Sequence, residues 1–155
     1  MTTHERRARQ IGWGITAVVA AAITTGVPTA SADMVNFHIA AEPTVRVRVR
    51  PPGPPRVLDD YSFTLGDLSD PRPVRASSFD DLDGENFRVS EVPGLSRIED
   101  IVETARTRSE IPDGQVTAVL VSRFGRDIRM VANVVSARSE VVVEFDRAGV
   151  FLRAQ

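Results

Sequence analysis

The sequence predicts an α+β fold: a small antiparallel or mixed β-sheet covered by one amphipathic helix at about residues 96–109, preceded by an N-terminal signal segment. Three observations carry that prediction. Alternation of apolar and polar residues recurs along the chain, first in "TVRVRVR" (residues 44–50) and then in three runs after residue 115. One segment places Ile98, Ile101, Val102 and Ala105 at the i, i+3, i+4, i+7 spacing of a helix face. The first 32 residues have the order of an export signal.

That N-terminal order is a basic stretch with Arg6, Arg7 and Arg9, an uncharged run of 17 residues from Ile11 to Val27, and a small-residue site "PTASA". Ala30 and Ala32 fit a signal peptidase, so cleavage is expected between Ala32 and Asp33. A retained helix is the alternative, because 17 residues reach the short end of a membrane span. Arg6 and Arg7 also allow a twin-arginine route, although Ala8, Arg9 and Gln10 fit that motif poorly. A lipid-anchored form would need a cysteine at the cut, and the chain has none.

Removing residues 1–32 takes away three arginines and one glutamate, leaving 123 residues with 16 arginines against 20 acids, a formal charge of −4. That length suffices for one domain with a packed core. The expected organisation is residues 33–56 as an N-terminal strand and Pro-rich linker, then 57–155 as a single α+β domain that includes the 44–50 strand. Without cysteine the core must be held by packing alone. An acidic exported chain has no general reason to bind nucleic acid.

Residues 33–42, "DMVNFHIAAE", can seat a short strand through Met34, Phe37 and Ile39, or remain a tail. In residues 44–50 the period of two puts Val45, Val47 and Val49 on one face and Arg46, Arg48 and Arg50 on the other. "PPGPP" at 51–55 then stops the strand, because proline offers no amide to a ladder. Tyr61, Phe63 and Leu65 alternate in a further strand. Apart from that strand, residues 57–92 read as a largely irregular acidic segment pinned by Phe79, Leu82, Phe87 and Val89, with a strand near Asn86 to Ser90.

Ser96 and Glu99 have the spacing of a capping box and predict the start of the helix. Glu99, Asp100 and Glu103 lie early and Arg106 and Arg108 late, which suits the helix dipole. Pro112, Asp113 and Gly114 end the element. "QVTAVLVSRF" and "DIRMVANVVS" flank Gly125 and Arg126 and predict a hairpin. "SEVVVEFD" is a third strand, and "VFLR" at 150–153 a fourth or a closing edge.

The chemistry on offer is sparse. His38 is the single histidine after residue 32, so neither a histidine-based metal cluster nor a Ser-His-Asp arrangement is indicated. No glycine-rich phosphate loop occurs, and no cofactor is expected. Asp80, Asp81, Asp83 and Glu85 in "DDLDGEN" form the sharpest acidic cluster, a calcium candidate. In the register of the helix–loop–helix calcium motif, Gly84 at position six places Phe79 at position one and Ser90 at position twelve, both wrong. An Asp-rich turn capping its own backbone is the better reading of the cluster, with a different, weaker calcium site as the alternative. Asp127 beside Arg123 and Arg126 reads as local pairing.

The arginine row is the candidate binding surface. Arg46, Arg48 and Arg50 recur about 6.6 Å apart in a strand, but no aromatic platform interleaves them. Residues 57–100 hold 11 acids against 4 arginines, so the row can meet the chain's own carboxylates across the sheet or those of a partner. The functional expectation is an exported, non-catalytic domain that binds an envelope or extracellular protein, with membrane contact only if the N-terminal segment is kept. A small carboxylate-dependent hydrolase acting on cell-wall material is the alternative.

Overall fold

The computed structural model describes residues 33–40, 44–50, 57–64 and 67–155. The signal segment with its cleavage site and the "PPGPP" run lie outside the described residues.

The expected fold class is observed: an α+β domain whose sheet is antiparallel at every described pairing. Strands β1 (Asp33–Ala40), β2 (Thr44–Arg50) and β3 (Val57–Thr64) form one meander. Strands β6 (Gln115–Phe124), β7 (Asp127–Val135), β8 (Glu140–Asp146) and β9 (Phe151–Ala154) form a second. β1 and β6 pair along Phe37–Ala40 and join the two meanders into one sheet. Beyond β3, the short strands β4 (Asp67–Leu68) and β5 (Arg72–Arg75) pair with opposite ends of its outer edge. The chain then leads round to the inner face, where the main helix packs against the sheet. It passes through a short helix α1 (Leu82–Glu85), two 3-10 turns (Val89–Glu91 and Pro93–Arg97) and the main helix α2 (Ile98–Arg108).

The core lies between α2 and one face of the sheet. Ile98, Ile101, Val102 and Ala105, the predicted stripe, are all buried. They pack with Val45, Val47 and Val49 of β2, Val119 and Val121 of β6, Met130 and Ala132 of β7, and Val143 and Phe145 of β8. Each such aliphatic side chain removed from water contributes about 1.5–3 kcal/mol. Strand register fixes this face, because a slip of one residue would turn the whole apolar set outward. The β6–β7 hairpin sets its register with a two-residue turn at Gly125 and Arg126, Phe124 pairing with Asp127. Gly125 has φ +63°, and Arg126 is not among the described residues with positive φ. This is the pattern of a turn with glycine in its first central position.

The structure corrects four local expectations. Ser96 does not cap α2: its hydroxyl donates to Pro93 O at 2.8 Å, and it lies inside the 3-10 turn that leads into the helix. The N-cap position is Arg97, with no side-chain cap. The strand expected at Asn86–Ser90 is reduced to a single bridge at Phe87 followed by a 3-10 turn. There Glu91 Oε2 accepts the Arg88 N–H at 2.8 Å, and that local bond competes with a ladder. Phe79 is not an anchor but 94% exposed. It sits in a turn closed by Asp80 Oδ2 and Ser77 Oγ, which accept the Ser77 and Phe79 N–H groups. Finally, the segment read as irregular contains β5 despite Pro73, which an edge strand accommodates.

Candidate functional site

The valines of β2 are 1%, 2% and 1% exposed at positions 45, 47 and 49, so Arg46, Arg48 and Arg50 face away from α2. The same parity places Asp60 and Ser62 of β3 on this outer face, opposite Arg48 and Arg46. β5 adds Arg72 opposite Asp60.

The three arginines differ in what holds them. Arg48 makes a two-pronged pair with Asp60, Nε to Oδ1 at 2.8 Å and Nη2 to Oδ2 at 3.0 Å. That hydrogen bond raises the Arg48 pKa against the opposing effect of burial, and the negative charges of Asp60 and Asp80 add to the rise. Arg50 Nη1 donates to Asp83 Oδ1, tying β2 to α1. Arg46 is exposed and makes no ion pair among the described residues; its register neighbours are Ser62 and His38. Arg72 is likewise exposed and unpaired among them.

The acidic candidates are dispersed into local roles. Asp80 Oδ2 accepts the Ser77 N–H at 2.7 Å. Asp81 Oδ1 accepts the Gly84 N–H at 3.0 Å as the N-cap of α1. A Cβ at Gly84 would lie 2.2 Å from Asp81 Oδ2, so the glycine makes room for the cap. Asp83 is engaged by Arg50, and Glu85 is exposed. Among the described residues no three histidine, cysteine or carboxylate side chains are placed to hold a metal ion. We therefore expect calcium or a chelator to leave the melting temperature unchanged in a thermal scan. A rise that saturates with calcium would instead show preferential binding to the folded state.

Further along the outer face, Leu120 pairs with Val131, and Asn133 with Ala118 and Val142. These side chains are half-buried, although α2 packs on the opposite side. At the β9 end Arg153 Nη2 lies 2.9 Å from Glu144 Oε1. That hydrogen bond is the main cause holding the Glu144 carboxyl below its ordinary value, and it raises Arg153. Asp127 pairs with Arg129 at 3.3 Å rather than with Arg123 or Arg126. Arg123 instead reaches across the end of the sheet, its Nε donating to Asn86 O at 2.7 Å and its Nη2 to Glu91 at 3.1 Å.

Two shallow clefts of about 290 and 310 Å³ flank the loop after α2. The larger is lined by Glu103, Arg106, Thr107 and Glu110, and the smaller by Glu110, Asp113, Ser136 and Arg138. Glu103 already accepts from Arg106 Nη1 at 3.3 Å.

Two features of the candidate surface are not legible in the sequence. Arg72 sits in a Pro-flanked stretch with no strand signal, so only the β3–β5 pairing places it beside Asp60. Leu120, Val131 and Val142 lie on three different strands of one outer face. Their adjacency depends on which strands lie side by side.

No family model matches the chain, and no curated protein is significantly similar to it. Its fold resembles a solved structure from Clostridium difficile 630 described as a "putative lipoprotein". The TM-score is 0.52 at 11% identity, over 80% of this chain and 82% of that one. A DUF2874 family protein from Bacteroides uniformis is matched over 90% of this chain and 87% of that one, with TM-score 0.31 and 18% identity. One from Bacteroides eggerthii, described among "putative periplasmic proteins", is matched over 89% and 86%, with TM-score 0.30 and 18% identity. The first likeness supports the fold; the other two are too distant in shape to add to it. The chain is thus a small α+β domain. No helix among the described residues is long and apolar enough to cross a membrane.

Proposed function

We propose that this chain is an exported bacterial domain of the cell envelope or extracellular space that acts by binding another protein through the outer face of its sheet. The observation that carries the reading is the asymmetry of the sheet. One face is closed by α2. The other presents the half-buried Leu120, Val131 and Val142, with Arg46, exposed and without an ion pair among the described residues, two strands away across β1. Surfaces of that kind, apolar at the centre with a charged rim, are what protein interfaces use. The signal-like residues 1–32 support export, and the lipoprotein description of the fold neighbour agrees with an envelope setting.

Binding accounts for the side chains better than carboxylate hydrolysis does. Asp60, Asp83, Glu91, Glu103 and Glu144 are each engaged by an arginine. Asp80 and Asp81 close turns. A hydrolase of this type needs two carboxylates converging on one substrate bond.

The test is capture with the full chain from envelope extract of its host. We expect one specific partner for the wild type, lost when Val131→Arg places a charge in the strip. Recovery of the same protein by both forms, or of none at low salt, would argue against the outer face as the contact surface.

A further inference from the structure

We infer that the β2–β3–β5 corner of the outer face is the anchoring end of that surface and that it recognises an acidic protein segment. The inference rests on the reading that the outer face binds protein and adds the chemistry of the partner.

Four guanidinium groups share this corner: Arg46, Arg48 and Arg50 on β2 and Arg72 on β5. Two of them are satisfied internally. Arg48 is held by Asp60 and also feels Asp80, and Arg50 is held by Asp83. The other two bracket the Arg48–Asp60 pair. Arg72 lies directly across β3 from Arg48, while Arg46 lies one alternation further along β2 opposite Ser62. With strands about 4.8 Å apart and same-face residues about 6.8 Å apart, their Cα atoms are about 12 Å from one another.

Arg46 and Arg72 are thus cations without an ion-pair partner among the described residues, both carried on sheet strands, in a chain whose overall formal charge is −2. The Arg48–Asp60 pair between them is locked and turns no additional charge outward. A partner gains by placing one carboxylate on each flank. Guanidinium groups favour such planar, two-pronged carboxylate contacts. Beyond His38 of β1 the outer face carries Leu120 and Val131 side by side and Val142 diagonal to Val131, with Asn133 and Glu144 as their polar register neighbours. A segment with carboxylates at one end and apolar side chains at the other matches this layout. Anionic lipid or nucleic acid would match the charges alone and leave the strip unused.

The probes are a synthetic peptide with glutamates at one end and valines at the other, phosphatidylglycerol vesicles and a single-stranded oligonucleotide, each titrated into the isotope-labelled full chain. The expected result is saturable movement of backbone amide signals in residues 44–50, 58–62 and 72–74 with the peptide, weakening as salt is added. Arg46→Glu combined with Arg72→Glu should weaken peptide binding at least about tenfold, since it replaces two attractions by two repulsions. Both residues are exposed, so the double variant should melt with the wild type. Signals that fail to move, movement indifferent to the double reversal, or binding to vesicles or oligonucleotide instead of peptide would each overturn the inference. A partner captured from extract that survives the double reversal but is lost with Val131→Arg would reject this inference alone. Loss of neither would reject the outer-face reading with it.

Discussion

Phe145→Ala is expected to cost about 3–5 kcal/mol, a large part of a small domain's stability. Phe145 is fully buried on β8. It pairs across the strands with Met130 and with Phe151. Its ring meets that of Phe151 edge-on, with centroids 6.3 Å apart at 79°. The Arg108 guanidinium lies over the Phe151 ring at 4.6 Å, so the helix end, β8 and β9 share one aromatic contact. Alanine removes the ring and leaves a cavity that β-strands on both sides cannot close. Urea unfolding of the variant beside Val142→Ala tests the face assignment. Val142 lies three residues away on the outer face, and its truncation should cost about 1 kcal/mol. Equal losses would mean that the two faces are wrongly assigned.

Gly94→Ala should be the most damaging single-methyl change, on the order of 3 kcal/mol. Gly94 is buried where the chain enters α2, and its N–H donates to Arg147 O at 2.8 Å. A Cβ would lie 2.5 Å from Met130 Sδ, 2.8 Å from Gly149 N and 2.9 Å from Arg147 O. The sulfur can move, but the two backbone atoms belong to the β8–β9 turn, which Asp146 Oδ1 fixes through the Ala148 and Val150 N–H groups. The methyl group must therefore push the helix away from the sheet. Gly125→Ala offers the contrast. It meets no neighbour within 4 Å and bears only the left-handed backbone penalty, about 1–2 kcal/mol. Urea midpoints should rank Gly94→Ala well below Gly125→Ala, and the reverse order would contradict the close approach of α2 to that turn.

Period made the main elements legible. The valines of β2, the stripe of α2 and the alternation in β6, β7 and β8 each state their buried face locally, and burial follows them, in β6 only at Val119 and Val121 beyond the register shift between Val116 and Ala118. Illegible were features set by distant partners. β5 forms because β3 offers an edge, and Pro71 and Pro73 conceal it in the sequence. Ser96 has the spacing of a cap, but Pro93 and Gly94 draw it into a 3-10 turn whose carbonyl takes its hydroxyl proton. Phe79 looked like an anchor by residue type, yet the Ser77–Asp80 turn decides where its backbone points.

The candidate surface divides in the same way. That Arg46, Arg48 and Arg50 share a face follows from the alternation itself. Which of them is spoken for does not, because Asp60 and Asp83 are brought in by a strand pairing and a crossing loop. Arg72 joins them only through β5.

The outer-face account is tested most directly by placing a photo-crosslinking amino acid at single positions of the full chain in its own host. At position 46 on the outer face we expect a discrete adduct with one envelope or extracellular protein. At position 99, exposed on α2 at the opposite face, we expect none. The same adduct from both positions, or an adduct from position 99 alone, would contradict the claim that the outer face of the sheet is the binding surface.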